Sequence, residues 1–447
     1  MYSKEILFIN NLYENIYSSN NDIPPHTYKI STREPIESKL IAYADLGDYL
    51  PFLILSGASR NYIENQIELT KISFKKNPLI GSSVPHYFRK FSQNKYLKKL
   101  FFKLGYEVSM AFSYSDFLFG LILIHLIDKS YNTLNFAIDT AQYLEKSFLG
   151  ENGWLYYAKN INSGNCHKIV DSNNDFFSEL YCELFDLTKE KKYINKAKII
   201  LNASLESSMF KKYGVVPSIT QVDGFMSKFT YKKLMSKFIL AKNNSGFAES
   251  LLAIYKCTQD NDYLNFYYKW VNSIVKLRKE YQSTPFSWDY KSRKITTNLK
   301  NYALVDCLIN GYLATNDSYL LDQAELVIME TLNWQDEETK LIKENKNSDV
   351  SFFDSNTDFA VSLVKFSYLS KKVFYFEKAK IIANAQIKYH KTNLGYSTYY
   401  FFSKRKCSDF VSTRYTSLFL KLLLSIQAYS CDKLKKDSIL WSSLRDR

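Results

Sequence analysis

One phrase recurs along the chain and restricts what it can fold into more than any other feature. A small or acidic residue stands before an aromatic at Asp48-Tyr49, Asp116-Phe117, Asp175-Phe176, Gly246-Phe247, Asn301-Tyr302 and Asp358-Phe359. A seventh copy, Arg414-Tyr415, has exchanged its first residue. The aromatic positions are 68, 59, 71, 55, 57 and 56 residues apart. After six of them a second tyrosine follows 13 to 17 residues on, at Tyr62, Tyr131, Tyr193, Tyr263, Tyr319 and Tyr375. Between and beyond these marks the apolar residues keep helical spacing, as at Ile194, Ala197, Leu201 and Leu205, which puts them on one buried face. Each copy therefore reads as two helices joined by a tight polar turn, then a return segment of about twenty residues, and the series as a repeat architecture.

Only 13 glycines and 8 prolines are present among 447 residues, too few for the turns of an all-β fold. No linker of Pro, Gly and Ser interrupts the series. We expect a first segment, residues 1–40, holding one helix and an irregular stretch that packs on a single repeat domain, residues 41–447. The six cysteines are scattered without a C-x-x-C pair, which points to reduced thiols and a cytoplasmic chain. No secretory leader and no membrane span is legible, the most apolar window, 117–127, being too short. The formal charge of +14 suggests an anionic partner. It comes without any nucleic-acid-binding signature, so nucleic acid is not the expected one.

The turn phrases Thr258-Gln259-Asp260-Asn261-Asp262-Tyr263-Leu264 and Ala314-Thr315-Asn316-Asp317-Ser318-Tyr319-Leu320, with Gly153-Trp154-Leu155-Tyr156 in a return loop, resemble the hairpin corners and loops of the (α/α) toroid superfamily. That superfamily includes six- and seven-hairpin glycosidases, unsaturated uronyl hydrolases and sugar epimerases. The resemblance spans about residues 42–429 and matches no single member family. It implies an all-α fold, an (α/α)6-7 toroid with short extended loop segments, in which the first helix of each pair lines an inner wall. It also implies a carbohydrate substrate.

Glycosidic cleavage needs two carboxyls about 5–10 Å apart, one neutral and one ionised. On the helix after Asn174 the residues Asp175, Glu179, Glu183 and Asp186 fall on one face, and crowding would hold one of them protonated. Glu179 or Asp175 is the expected first member of the pair, with Asp358, Asp306 or Glu249 as the other. Asp48, Asp116 and Asp358 also suit plain helix capping. Trp154, Trp288, Tyr396 and His86 in the return loops, with Tyr415, are candidate sugar contacts. Arg414, near the basic run Lys404-Arg405-Lys406, suits an anionic group, or else an ion pair with Asp358 or Asp409. Cys166-His167 lacks the partners of a zinc site, and no phosphate loop or dinucleotide motif is present, so neither a metal nor a cofactor is expected. The expected activity is hydrolysis of an acidic oligo- or polysaccharide. Uronyl C5-epimerisation and a non-catalytic helical scaffold are the alternatives.

Overall fold

The computed structural model describes residues 2–17, 23–35, 45–76, 78, 82–83, 108–150, 152–160, 163–222 and 236–435. After α1 (Ser3–Asn11) come six helical hairpins and a final single helix. The hairpins are α2 (Leu46–Ser56) with α3 (Arg60–Lys76), α4 (Ser113–Ile127) with α5 (Leu134–Phe148), and α6 (Phe176–Thr188) with α7 (Lys191–Leu205). A short α8 (Ser208–Tyr213) precedes α9 (Asn243–Thr258) with α10 (Asn261–Tyr281). Then follow α11 (Tyr302–Thr315) with α12 (Ser318–Leu332), α13 (Phe353–Ser370) with α14 (Val373–His390), and α15 (Thr413–Ser430). The seven first helices α2, α4, α6, α9, α11, α13 and α15 each pack on the next, and α15 packs back on α2. The architecture is a closed (α/α) toroid, with seven inner helices among the described residues.

The seventh outer position falls to α1. It packs on α15 and α2, with the Tyr2 hydroxyl donating to Asn384 on α14 at 2.9 Å and Glu5 paired with Lys391 at 2.7 Å. Tyr13 and Tyr17, just beyond α1, donate to the carbonyls of Thr413 and Leu394. On the opposite flank of the closure, α2 and α4 meet backbone to backbone. A Cβ on Gly120 would lie 2.3 Å from the Cα of Gly47, so only glycine permits that approach.

Three successive hairpin corners share one chemistry. Thr188, Thr258 and Thr315 end their inner helices by donating to the carbonyl four residues back. The next residues, Lys189, Gln259 and Asn316, take the left-handed conformation that stops a helix. Each threonine oxygen then accepts the N–H of the residue after that. Asp260 and Asp317 go on to cap the outer helices, accepting from Asp262 and Tyr319, as capping aspartates do.

The other end of four inner helices is set by a buried asparagine. Asn174, Asn244, Asn301 and Asn356 donate to the return-loop carbonyls of Leu155, Val216, Thr284 and Ile342 at 2.8–2.9 Å. Two of them also accept the N–H of the same loop residue, Val216 or Ile342. In the second repeat Tyr114 takes this place, donating to the Pro78 carbonyl. Short antiparallel strands in the return loops decorate this rim, for example 350–352 with 399–401 and 406–407, or 410–412 with the N-terminal 27–29.

This register corrects the aromatic column expected from sequence. Three residues after each asparagine stand Phe177, Phe247, Leu304 and Phe359, all fully buried. Phe176 and Tyr302, by contrast, are only half-buried and face the inside of the ring. Phe176 and Tyr302 stand two and one residues after their asparagines rather than three, and each follows a 3-10 turn, Ser172–Asp175 or Leu299–Asn301.

A buried histidine ties one return loop to the ring and makes its stability depend on pH. The His390 Nδ1 donates to the Ser397 carbonyl at 2.8 Å, and burial pushes its pKa down from 6.5 to about 4. The unfolded chain then binds the proton more tightly. The His390 contribution is complete above pH 6.5 and is lost as pH falls toward 4, at most about 3 kcal/mol. Urea unfolding over this range should show a smaller acid loss for His390→Gln than for the wild type. Equal losses would contradict this assignment.

Candidate active site

Counted from the buried asparagines, one position carries a carboxyl on three successive inner helices. Glu179 on α6, Glu249 on α9 and Asp306 on α11 all stand five residues beyond Asn174, Asn244 and Asn301. The asparagine clamp gives the three segments a common reference point, and the three side chains at this offset meet in one cavity. They line one cavity of about 230 Å³ together with Asp116 and Phe112 from the start of α4, Phe176, Lys242, Tyr302 and Cys307. Glu179 is 0 % exposed, and Glu249 and Asp306 are each 7 % exposed.

Each acid is held differently. Both oxygens of Glu249 accept from the Asn310 amide, at 2.8 and 2.9 Å. Asp306 accepts from Ser362 on α13 at 2.9 Å. Burial pushes the Cys307 thiol well above its ordinary value, and the adjacent Glu249 and Asp306 add to the shift. Burial likewise raises the Tyr302 hydroxyl, helped by Asp358 and Asp354.

Lys242 is the cavity's cation. Its ammonium lies over the Phe112 ring at 5.1 Å and makes no ion pair among the described residues. The side chain is exposed at the mouth of the cavity, and partial loss of hydration there lowers its pKa, Lys300 adding to this while Asp171 and Asp116 oppose it. Beside it, Asp116 pairs with Arg414 of α15 at 3.2 Å. Arg414 also reaches Asp45 at 3.7 Å, and Asp45 in turn meets His26. Asp116 and Asp45 are thus among the partners of Arg414, whereas Asp409 is engaged by Ser31 on the exposed rim.

The structure brings Glu179, Glu249 and Asp306 together, leaves Asp358 at the edge of the cavity beside Tyr302, and separates Asp175 from them. Asp175 points outward into the first wall, where Ser204 of α7 donates to it at 2.6 Å, and Asp186 is exposed. The expected acidic stripe is broken because Asp175 closes the 3-10 turn, out of phase with α6. Asp358 lies half-buried beside Tyr302. Tyr415 sits half-buried near His26, with ring centroids 6.4 Å apart. Tyr396 is fully buried, stacked on Phe353 at 4.9 Å and bonded to Glu5 at 2.8 Å, which leaves no face for a sugar. Trp154 packs on Tyr156, Val170 and Ala203 in the outer layer. Trp288 is buried beneath its own hairpin, stacked on Phe238 at 5.1 Å and donating to Tyr281. His86 lies outside the described residues. Asp116 and Lys242, which the sequence did not single out as ligand-facing, are part of the lining.

No family model matches the sequence, and no curated protein matches it. Solved structures do match. A D-mannose isomerase superimposes with a TM-score of 0.58 at 11% identity, over 72% of this chain and 87% of that one. The GH76A α-1,6-mannanase of Salegentibacter sp. HEL1_6 gives 0.53 at 10%, over 96% and 99%. An unsaturated glucuronyl hydrolase of Bacillus sp. GL1 gives 0.50 at 10%, over 94% and 96%. The shared feature is the fold. All three are (α/α) toroids, as this chain is, and the architectural resemblance read from the hairpin corners holds.

Asp175 supplies a test that separates wall from site. Burial raises its pKa well above 3.8, against the Ser204 hydrogen bond. The folded state therefore binds this proton more tightly, and the contribution to stability is largest below the unfolded pKa and declines as pH rises above it. Asp175→Asn should raise the unfolding temperature at pH 7, with the gain shrinking toward pH 4. A lower unfolding temperature at pH 7 would show that the carboxylate itself is needed.

Proposed function

We propose that the chain is a carbohydrate-active enzyme that cleaves glycosidic bonds in an anionic oligo- or polysaccharide. The observation that carries this is the meeting of three carboxyls, from the same register of three inner helices, in one cavity that also holds the ammonium of Lys242. Hydrolysis through an oxocarbenium-like transition state asks for one neutral and one ionised carboxyl across the scissile bond. Glu249 has the surroundings of the ionised partner, since the Asn310 amide nitrogen donates to both of its oxygens. Glu179, wholly enclosed in the wall, sits where a neutral carboxyl costs less than a charged one, and it is the proposed general acid. Asp306 stands ready beside Glu249 to orient substrate or water. The toroids it resembles, a mannanase and a glucuronyl hydrolase among them, support a sugar substrate.

The preference for an anionic sugar rests on Lys242. The Lys242 ammonium lines the cavity, is exposed and has no carboxylate at ion-pair distance among the described residues, so it is free to meet a uronate or sulfate, with an attraction that salt screens. Arg414 contributes positive potential from across Asp116. With six free cysteines, none of them disulfide-bonded, and no described helix long and apolar enough to cross a membrane, a cytoplasmic site of action is the proposed location.

A panel of neutral and acidic oligosaccharides, some ending in 4,5-unsaturated uronate, followed by proton NMR, distinguishes the outcomes. A new reducing end marks hydrolysis, and inversion at one carbon without cleavage marks epimerisation. Glu249→Gln and Glu179→Gln should each lower turnover by about 10²–10⁴ while the protein stays folded. Wild-type turnover in both would remove the carboxyl-pair reading, and no binding of any glycan would favour a scaffold.

Lys242→Met should weaken binding of the acidic members about tenfold or more, equivalent to about 1.4 kcal/mol, and leave neutral ones little changed. Titration calorimetry at low and high salt reads the difference. Equal loss for both classes would place Lys242 in general packing.

A further inference from the structure

Lys365 is a buried cation on α13, 1 % exposed, and it does not reach the cavity. Its ammonium donates to the Asn310 Oδ1 at 2.7 Å. Asn310, equally buried on α11, donates through its Nδ2 to both Glu249 oxygens. An ammonium can only donate, so the amide oxygen of Asn310 must face Lys365. Its NH₂ is thereby turned on Glu249. A carboxylate accepts from that group with both oxygens, whereas a neutral carboxyl would present a proton to a donor. The chain Lys365–Asn310–Glu249 is therefore polarised in one direction.

We propose that Lys365 is a positioning residue that acts through Asn310 to keep Glu249 ionised and aimed into the cavity. Neither Lys365 nor Asn310 is among the residues that line it, so neither touches substrate. Asp306 and Cys307 from α11, Tyr267 from α10, and Glu179 and Lys242 across the cavity also face the Glu249 region. Of these neighbours the acids favour a neutral Glu249. Lys365 is the positive charge on the far side of the wall that offsets them, as it does for the Cys307 thiol. The role assigned to Lys365 rests on Glu249 being the ionised member of the catalytic pair.

The test reads Glu249 directly and needs no substrate. In the full-length chain with ¹³C-labelled glutamate carboxyls, the Glu249 resonance is the one missing from Glu249→Gln. Its titration midpoint should rise by about one pH unit or more in Lys365→Met. Asn310→Ala, which keeps the charge but cuts the link, should raise it as well. An unchanged midpoint in a folded Lys365→Met overturns the proposal. Should that variant fail to fold, an unchanged midpoint in Asn310→Ala does so. Once a substrate is known, the acid limb of the kcat/KM profile should move up by the same amount in Lys365→Met. A midpoint that shifts while no glycan is turned over would leave the relay standing and remove the hydrolase reading alone.

Discussion

A side-chain amide that grips the loop behind it organises this molecule. At the start of an inner helix the first backbone N–H groups have no helical partner, and the preceding loop must be turned onto the rim without stranding its own polar groups. Asn174, Asn244, Asn301 and Asn356 meet the second demand four times over, each donating to a loop carbonyl inside the wall. An amide can donate and accept at once, and Asn244 and Asn356 do both with one loop residue. Because the grip is the same, the four asparagines stand at equivalent places although the helices begin at different distances from them. Residues five positions beyond three of them then meet in one cavity.

The charges in the ring follow from that convergence. Three carboxyls would repel one another in a poorly hydrated cavity, and the structure distributes donors and cations around them. Asn310 and Ser362 approach from neighbouring helices, Lys365 stands behind, and Lys242 faces the open space. Asp116 is neutralised separately by Arg414, whose second contact to Asp45 joins α15 to the start of α2. The same arginine thus links the electrostatics of the cavity to the closure of the ring.

Much of this architecture was legible in the sequence. The hairpin corners are local chemistry, a threonine, a left-handed residue and a capping aspartate, and local chemistry can be read from residues in order. Glu179, Glu249 and Asp306 were all visible as inner-helix acids for the same reason. The aromatic phrase misled over phase. A 3-10 turn before α6 and unequal helix starts put Asp175 and Glu179 on different faces, so one pair member predicted from spacing lies in the wall. The loop aromatics Trp288 and Tyr396 were also out of reach of sequence. Whether a ring packs beneath its own hairpin or faces a ligand depends on Phe238 and Phe353, which stand tens of residues away. Lys242 carried no signal, since a lysine before a helix ordinarily faces water.

The most direct measurement is a crystal structure of Glu249→Gln bound to an acidic oligosaccharide. A sugar should lie in the cavity between α6, α9 and α11, its glycosidic oxygen within hydrogen-bond reach of Glu179 and its anionic group beside Lys242. A glycan held only outside the ring, with these three helices untouched, would contradict the convergence of Glu179, Glu249 and Asp306 as the catalytic centre.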